Sequence, residues 1–133
     1  MEQYVIVLIV DDEKIVAEST AEIFRLAGHR AVAVTSPARA VEVAREIQPE
    51  ILITDVLMPE EDGITLAVKI QALFPQCKVL LTSGQAETSN LLDEAAARGL
   101  HFDIVAKPLW PPELVKRAEQ LAGVTPNSQS ATV

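Results

Sequence analysis

The chain has 133 residues, 49% of them hydrophobic and 23% charged, and a formal net charge of −8. That is a single domain's length, with enough apolar residues to bury a core and too many for a disordered chain. The acidic balance argues against nucleic acid as a direct partner, since phosphate binding needs clustered Lys and Arg, and it favours cations or basic surfaces.

The first predicted strand runs from Tyr4 to Val10 and stops at Asp11-Asp12. A helix follows with Asp12 as N-cap, apolar positions at Ile15, Val16, Ile23, Phe24 and Ala27, and Gly28 as its stop. Ala31 to Val34 is a second, shorter strand. Ser36-Pro37 then reads as the N-cap and first residue of a second helix, where a missing N–H costs nothing, and Pro49 prevents that helix from running much past Ile47. The third strand, Ile51 to Thr54, meets an acidic loop from Asp55 to Gly63. A third helix spans Ile64 to Phe74, with Ile64, Ala67, Val68 and Ile70 on its apolar side, and Pro75 closes it. Lys78 to Leu81 is the fourth strand and leads into Thr82-Ser83-Gly84. The fourth helix covers Thr88 to Arg98. Phe102 to Val105 is the fifth strand, running into Ala106 and Lys107-Pro108, and the last helix starts near Trp110 and ends at Gly123. Residues 125 to 133 are polar and unpatterned and read as a disordered tail after a domain of residues 1–124.

Strict alternation of short apolar runs with amphipathic helices predicts a parallel α/β sheet covered on both faces. Right-handed crossovers leave few topologies, and strand order 2-1-3-4-5, a flavodoxin-like doubly wound sandwich, is the expectation. Cys77 is the only cysteine, so no intrachain disulfide can form, which fits a reducing compartment. The apolar runs are far shorter than the stretch of about 18 residues that a membrane helix needs. With no basic signal-peptide region after Met1, a cytoplasmic protein is expected.

In such a sheet the carboxyl ends of the strands share one edge, where ligands bind. The sequence thus places Asp11, Asp12, Asp55, Ser83 and Lys107 in one cluster. Three carboxylates together are costly: two unit charges about 4 Å apart repel by roughly 4 kcal/mol at an effective dielectric of about 20. A divalent cation removes that penalty, and an oxygen-only donor set selects a hard one such as Mg²⁺. Asp12 and Asp55 are the candidate direct ligands, Asp11 acts through water, and the backbone carbonyl of Leu57 is a further candidate. A carboxylate can also carry a phosphoryl group, and Asp55 is the best-placed nucleophile. Phosphoryl transfer asks chiefly for charge neutralisation and in-line placement. Lys107 would bind a second phosphoryl oxygen, and the Ser83 hydroxyl with an N–H near Gly84 a third. Alone, Asp12 would be a helix cap and Ser83-Gly84 a turn. The weight lies in these groups falling at the ends of strands one, three, four and five.

These residues resemble the receiver domain of bacterial two-component response regulators. The matching runs are Val10-Asp11-Asp12-Glu13, Asp55 to Pro59 with Asp62-Gly63, Thr82-Ser83-Gly84 and Lys107-Pro108, and the resemblance extends from about Tyr4 to Ala122. It implies a stand-alone phosphoryl-accepting switch, not an enzyme acting on other molecules. A sensor histidine kinase or phosphotransfer protein would phosphorylate Asp55 with Mg²⁺ required, Ser83 and Lys107 would bind the phosphoryl group, and the Lys107-Pro108 bond would be cis. The surface of helix four, strand five and helix five would then change and bind a downstream protein, with a weak homodimer also allowed. The alternative within the same fold is an interaction module that works without phosphorylation. A dedicated phosphohydrolase is disfavoured by Leu57, where such enzymes carry a second acid, and by a chain too short for a cap insertion.

Two departures from the family pattern stand out. Ile104 occupies the usual aromatic switch position, so coupling between Ser83 and strand five should be weaker or built differently. Thr82 and Ser83 are adjacent hydroxyls, and Ser83 is chosen because Gly84 matches the small residue that follows the family's hydroxyl. Leu57 is bulky and apolar, and should hinder the water that hydrolyses an acyl phosphate. His29 reads as a surface cap residue, Cys77 as a semi-buried packing residue and Trp110 as a hydrophobic staple.

Overall fold

The structure, a computed structural model, describes residues 4–84 and 88–124. The expected tail, 125–133, lies outside the described residues. Five strands alternate with five helices: β1 (Ile6–Val10), α1 (Lys14–Leu26), β2 (Arg30–Val34), α2 (Pro37–Ile47), β3 (Ile51–Asp55), α3 (Gly63–Leu73), β4 (Lys78–Ser83), α4 (Thr88–Ala97), β5 (Asp103–Ala106) and α5 (Pro111–Ala122). The strands form one parallel sheet in the order β2-β1-β3-β4-β5, the flavodoxin-like arrangement expected from the sequence.

Strand pleating divides the core in two. Leu8, Val10, Leu52 and Leu81 face one side, packed with Ala40, Val43 and Ala44 of α2 and Leu66, Ala67 and Ile70 of α3. Val7, Ile9, Ile51, Ile53 and Leu80 face the other, against Ala17, Ala21 and Phe24 of α1 and Leu114 and Ala118 of α5. With both faces covered, the strands carry near-continuous apolar runs. Phe24 is fully buried, and truncating such a ring to Ala costs about 3–5 kcal/mol.

Local signals set the helix ends. Ser36 Oγ accepts from Arg39 N–H at 3.2 Å, with Pro37 opening α2. Asp62 caps α3 by accepting from Thr65 N–H at 2.8 Å. Gly123 ends α5 in the left-handed region, at φ 76°.

Several sequence expectations are corrected. Asp12 is not the N-cap of α1: Glu13 holds that position without a side-chain bond, because the neighbouring acids are turned toward the sheet edge. Ile15 is 81% exposed, since α1 seats its small residues Ala17 and Ala21 against the sheet and turns Ile15 outward. On α3, Val68 is exposed and Leu66 takes the buried position. β5 begins at Asp103, one residue after Phe102, which packs partly buried against the α2/α3 core. Trp110 is not a staple: it is 66% exposed at the start of α5. Cys77 is fully buried, and burial pushes its thiol up to about 12, so it is an unreactive packing group. His29 is buried as well, because both ring nitrogens have partners inside the protein.

Candidate functional site

Register brings the predicted residues to one edge of the sheet. Val10 pairs with Thr54, Asp55 with Thr82 and Ser83 with Ala106, so the residues that follow β1 and β5 and those that end β3 and β4 lie side by side. Asp11, Asp12 and Asp55 each place a carboxylate oxygen within 4.8 Å of the others. The cleft above them, of ≈ 540 Å³, is lined by Asp12, Glu13, Asp55, Leu57, Gly84, Lys107 and Pro108.

Each acid has a distinct environment. Asp11 is buried. Its Oδ1 accepts from Glu13 N–H at 2.9 Å and its Oδ2 from Lys107 Nζ at 3.1 Å. Asp12 is exposed at the mouth. Asp55 is partly buried, and its Oδ2 accepts from Lys107 Nζ at 3.2 Å. Burial raises the Asp55 carboxyl above its ordinary value; the Lys107 ammonium offsets part of this, and the charges of Asp11 and Asp12 add to it. For Lys107, burial acts to lower the ammonium, but the contacts with Asp11 and Asp55 prevail and leave it raised, so it stays charged.

The lysine is delivered by a fixed backbone. Lys107 N–H donates to the Ser83 carbonyl at 2.9 Å, which sets it beside the end of β4, and the Lys107–Pro108 bond is cis. Gly84 lets Lys107 approach closely: a Cβ there would lie 3.0 Å from Lys107 Cβ, a tight contact. Ser83 is partly exposed at the edge while Thr82 before it is buried. Leu57 lies in the cleft wall beside Asp55. Ile104, at the expected switch position, is exposed on β5 opposite Leu81.

Three further residues shape the site. Glu13 lines the cleft and its N–H orients Asp11. Thr54, fully buried, donates its hydroxyl to the Asp55 carbonyl at 3.1 Å. Gly63 is packed so closely that a Cβ would sit 2.1 Å from that same oxygen, so only glycine brings the acidic loop back over β3. A glycine closing an acidic loop was a visible signal for this contact. The Thr54 bond has no sequence signature.

An all-oxygen cluster of three acids suits a hard divalent cation. One of the three, the strand-end carboxylate of Asp55, is paired with the Lys107 ammonium at 3.2 Å. Among the described residues, no helix is long and apolar enough to cross a membrane.

Comparison with known proteins agrees with this geometry. Residues 7–119 match the family model of the response regulator receiver domain. Chemotaxis protein CheY of Thermotoga maritima is 29% identical over 117 residues, covering 87% of this chain and 96% of that protein. Transcriptional regulatory protein PrrA of Mycobacterium tuberculosis is 30% identical over 130 residues, covering 96% of this chain; the match spans 55% of PrrA, about half its length. A protein of Chloroflexus aurantiacus J-10-fl, described as a response regulator, superposes with a TM-score of 0.77 at 31% identity, covering 91% of this chain and 99% of that one. By fold, cleft and the match over residues 7–119, this chain belongs to the family of response regulator receiver domains of two-component signalling.

Proposed function

We propose that the chain is a phosphoacceptor switch in which Asp55 takes a phosphoryl group from a phosphohistidine of a sensor kinase or phosphotransfer protein. The observation that carries this reading is the convergence of Asp11, Asp12 and Asp55 with the Lys107 ammonium at 3.1 Å and 3.2 Å from two of them. An Asp55 oxygen attacks phosphorus, a P–O bond forms, the P–N bond to the donor imidazole breaks, and the imidazole leaves with its electron pair. Asp11, Asp12, Asp55 and the Leu57 carbonyl are the groups that would hold Mg²⁺, which when bound supplies positive charge against the phosphoryl oxygens. Lys107 transfers one of its contacts from the Asp55 carboxylate to a phosphoryl oxygen, and Ser83 donates its hydroxyl to another.

Receivers are signalling switches, so the product of this reaction is a changed surface. The surface proposed is that of α4, β5 and α5, where Ile104 and Trp110 are exposed, and a downstream protein is the partner proposed for it. The chemistry is limited to self-phosphorylation from donors and slow hydrolysis of the acyl phosphate. The cytoplasm is the compartment proposed.

Trp110, the only tryptophan, lies three residues after Lys107 and is exposed, so it reports on this junction. With Mg²⁺ and beryllofluoride, a phosphoryl mimic, Trp110 fluorescence should change saturably, and the change should vanish in Asp55→Asn. A flat wild-type titration would favour an interaction module that works without phosphorylation.

A further inference from the structure

Two titratable side chains are buried away from the cleft, and they meet. His29, in the turn between α1 and β2, has a side chain 0% exposed, and Glu119 of α5 has one 5% exposed. Val5 N–H donates to His29 Nδ1 at 3.0 Å, so that nitrogen carries no proton. The ring proton is therefore on Nε2, which donates to Glu119 Oε2 at 2.7 Å. The Phe24 ring packs beside the imidazole, with centroids 6.3 Å apart. One run of hydrogen bonds thus links the residue before β1, through His29, to the C-terminal half of α5. Val124 N–H donates to the Glu119 carbonyl at 2.9 Å, which fixes the helix end to the same residue.

The other end of α5 follows closely on Lys107, whose ammonium is bound to Asp11 and Asp55. His29–Glu119 holds the C-terminal half of the helix, Arg117 Nη2 donates to the Ile104 carbonyl at 3.2 Å from its middle, and the Lys107 contacts just before its first turn contain the phosphoacceptor. They differ in what breaking them costs. Lys107 can exchange a carboxylate for a phosphoryl oxygen and leave no charge unpaired. Separating His29 from Glu119 would strand a buried donor and a buried carboxyl together.

We infer that the His29–Glu119 pair is a fixed anchor that holds the C-terminal half of α5 to the start of β1 and confines the part of the response to Asp55 phosphorylation carried by β5 and α5 to the segment from Ile104 to Leu114. The confinement rests on the phosphoacceptor reading; the anchor does not. On these two elements the partner surface that responds is then the β5 end and first turn of α5, around Ile104 and Trp110, and excludes the last turns of the helix.

Amide hydrogen exchange on the full chain tests this, with Mg²⁺, with and without beryllofluoride. In the wild type, non-proline amides between 104 and 114 should change exchange rate by about fivefold or more and those from 118 to 124 by less than about twofold. Without the mimic, Glu119→Leu should raise exchange at 118–124 by about tenfold, the scale of one lost buried hydrogen bond. With it, the response should then spread to those residues. Glu119→Gln keeps an acceptor for His29 Nε2–H and should behave as wild type. Equal wild-type responses in both segments, or a Glu119→Leu protein with unchanged exchange, would overturn the inference. If the leucine variant does not fold, the wild-type comparison decides alone. If the mimic changes nothing near Asp55, the phosphoacceptor reading and the confinement fall together, while the unliganded Glu119→Leu exchange still decides the anchor.

Discussion

The Lys107 ammonium stands 3.2 Å from the Asp55 carboxylate, and 3.1 Å from that of Asp11. One cation from the end of β5 therefore neutralises acids from two other strands before any ligand arrives. Replacing it should leave those carboxylates partly buried and facing each other. Lys107→Met is expected to lose about 1–3 kcal/mol of stability in metal-free buffer, the range for a polar partner removed from a part-buried group. Urea denaturation measures it. Wild-type stability in the variant would mean that the ion pairs contribute nothing.

The raised Asp55 carboxyl gives a pH dependence of definite sign. Its ordinary value is 3.8, and burial, only partly offset by Lys107, lifts it in the folded protein. Between 3.8 and the raised value the folded chain keeps a proton that the unfolded chain has lost, so stability from this group falls as pH rises across that window. Lys107 behaves differently: its raised ammonium contributes throughout the range below its ordinary 10.5 and loses that contribution only as pH climbs past it. Metal-free Asp55→Asn should therefore melt above the wild type at neutral pH, and the difference should close as pH falls below 3.8. Melting curves that differ equally at every pH would contradict this origin.

A cation that binds the three acids stabilises only the folded chain. At about 100 times its dissociation constant, Mg²⁺ should add roughly 2.7 kcal/mol to unfolding and raise Tm, and chelation should reverse the gain. Asp12→Ala removes the exposed ligand at the mouth and should abolish most of that rise with little change in metal-free Tm. An undiminished Mg²⁺ effect in the variant would place the cation elsewhere.

Much of this was legible in the sequence because strand ends are marked by chemistry. Alternating apolar runs and helices, with right-handed crossovers, pointed to the sheet and its order, and the acids closing the runs at Asp11-Asp12 and Asp55 marked its edge. Ser36-Pro37 was readable because capping is local, decided within one turn. Asp12 misled for the same reason: an acid before a helix looks like a cap, and only the tertiary cluster draws it to the sheet edge. Ile15 and Trp110 were misplaced because hydrophobicity alone does not say which face a helix buries, and here alanines make the close contact. His29 looked like a surface cap residue, and its partner Glu119 is 90 positions away, a distance no local pattern spans.

Leu57 lines the cleft beside the proposed phosphoacceptor, and a bulky apolar residue there is expected to hinder the hydrolytic water. Leu57→Asn should admit and orient that water. The acyl phosphate is expected to decay roughly tenfold faster, a barrier change of about 1.4 kcal/mol. Decay of radiolabelled protein at fixed Mg²⁺ measures it. An unchanged half-life would remove Leu57 from control of the lifetime.

The most direct measurement is phosphorylation from a small donor. The chain is incubated with acetyl phosphate and Mg²⁺, weighed intact, and then digested under conditions that trap the acyl phosphate. The expected result is a mass gain of one phosphoryl group per chain, located on Asp55 and lost with chelator or in Asp55→Asn. A wild-type chain that gains nothing, or an Asp55→Asn chain that is labelled as well, would contradict it.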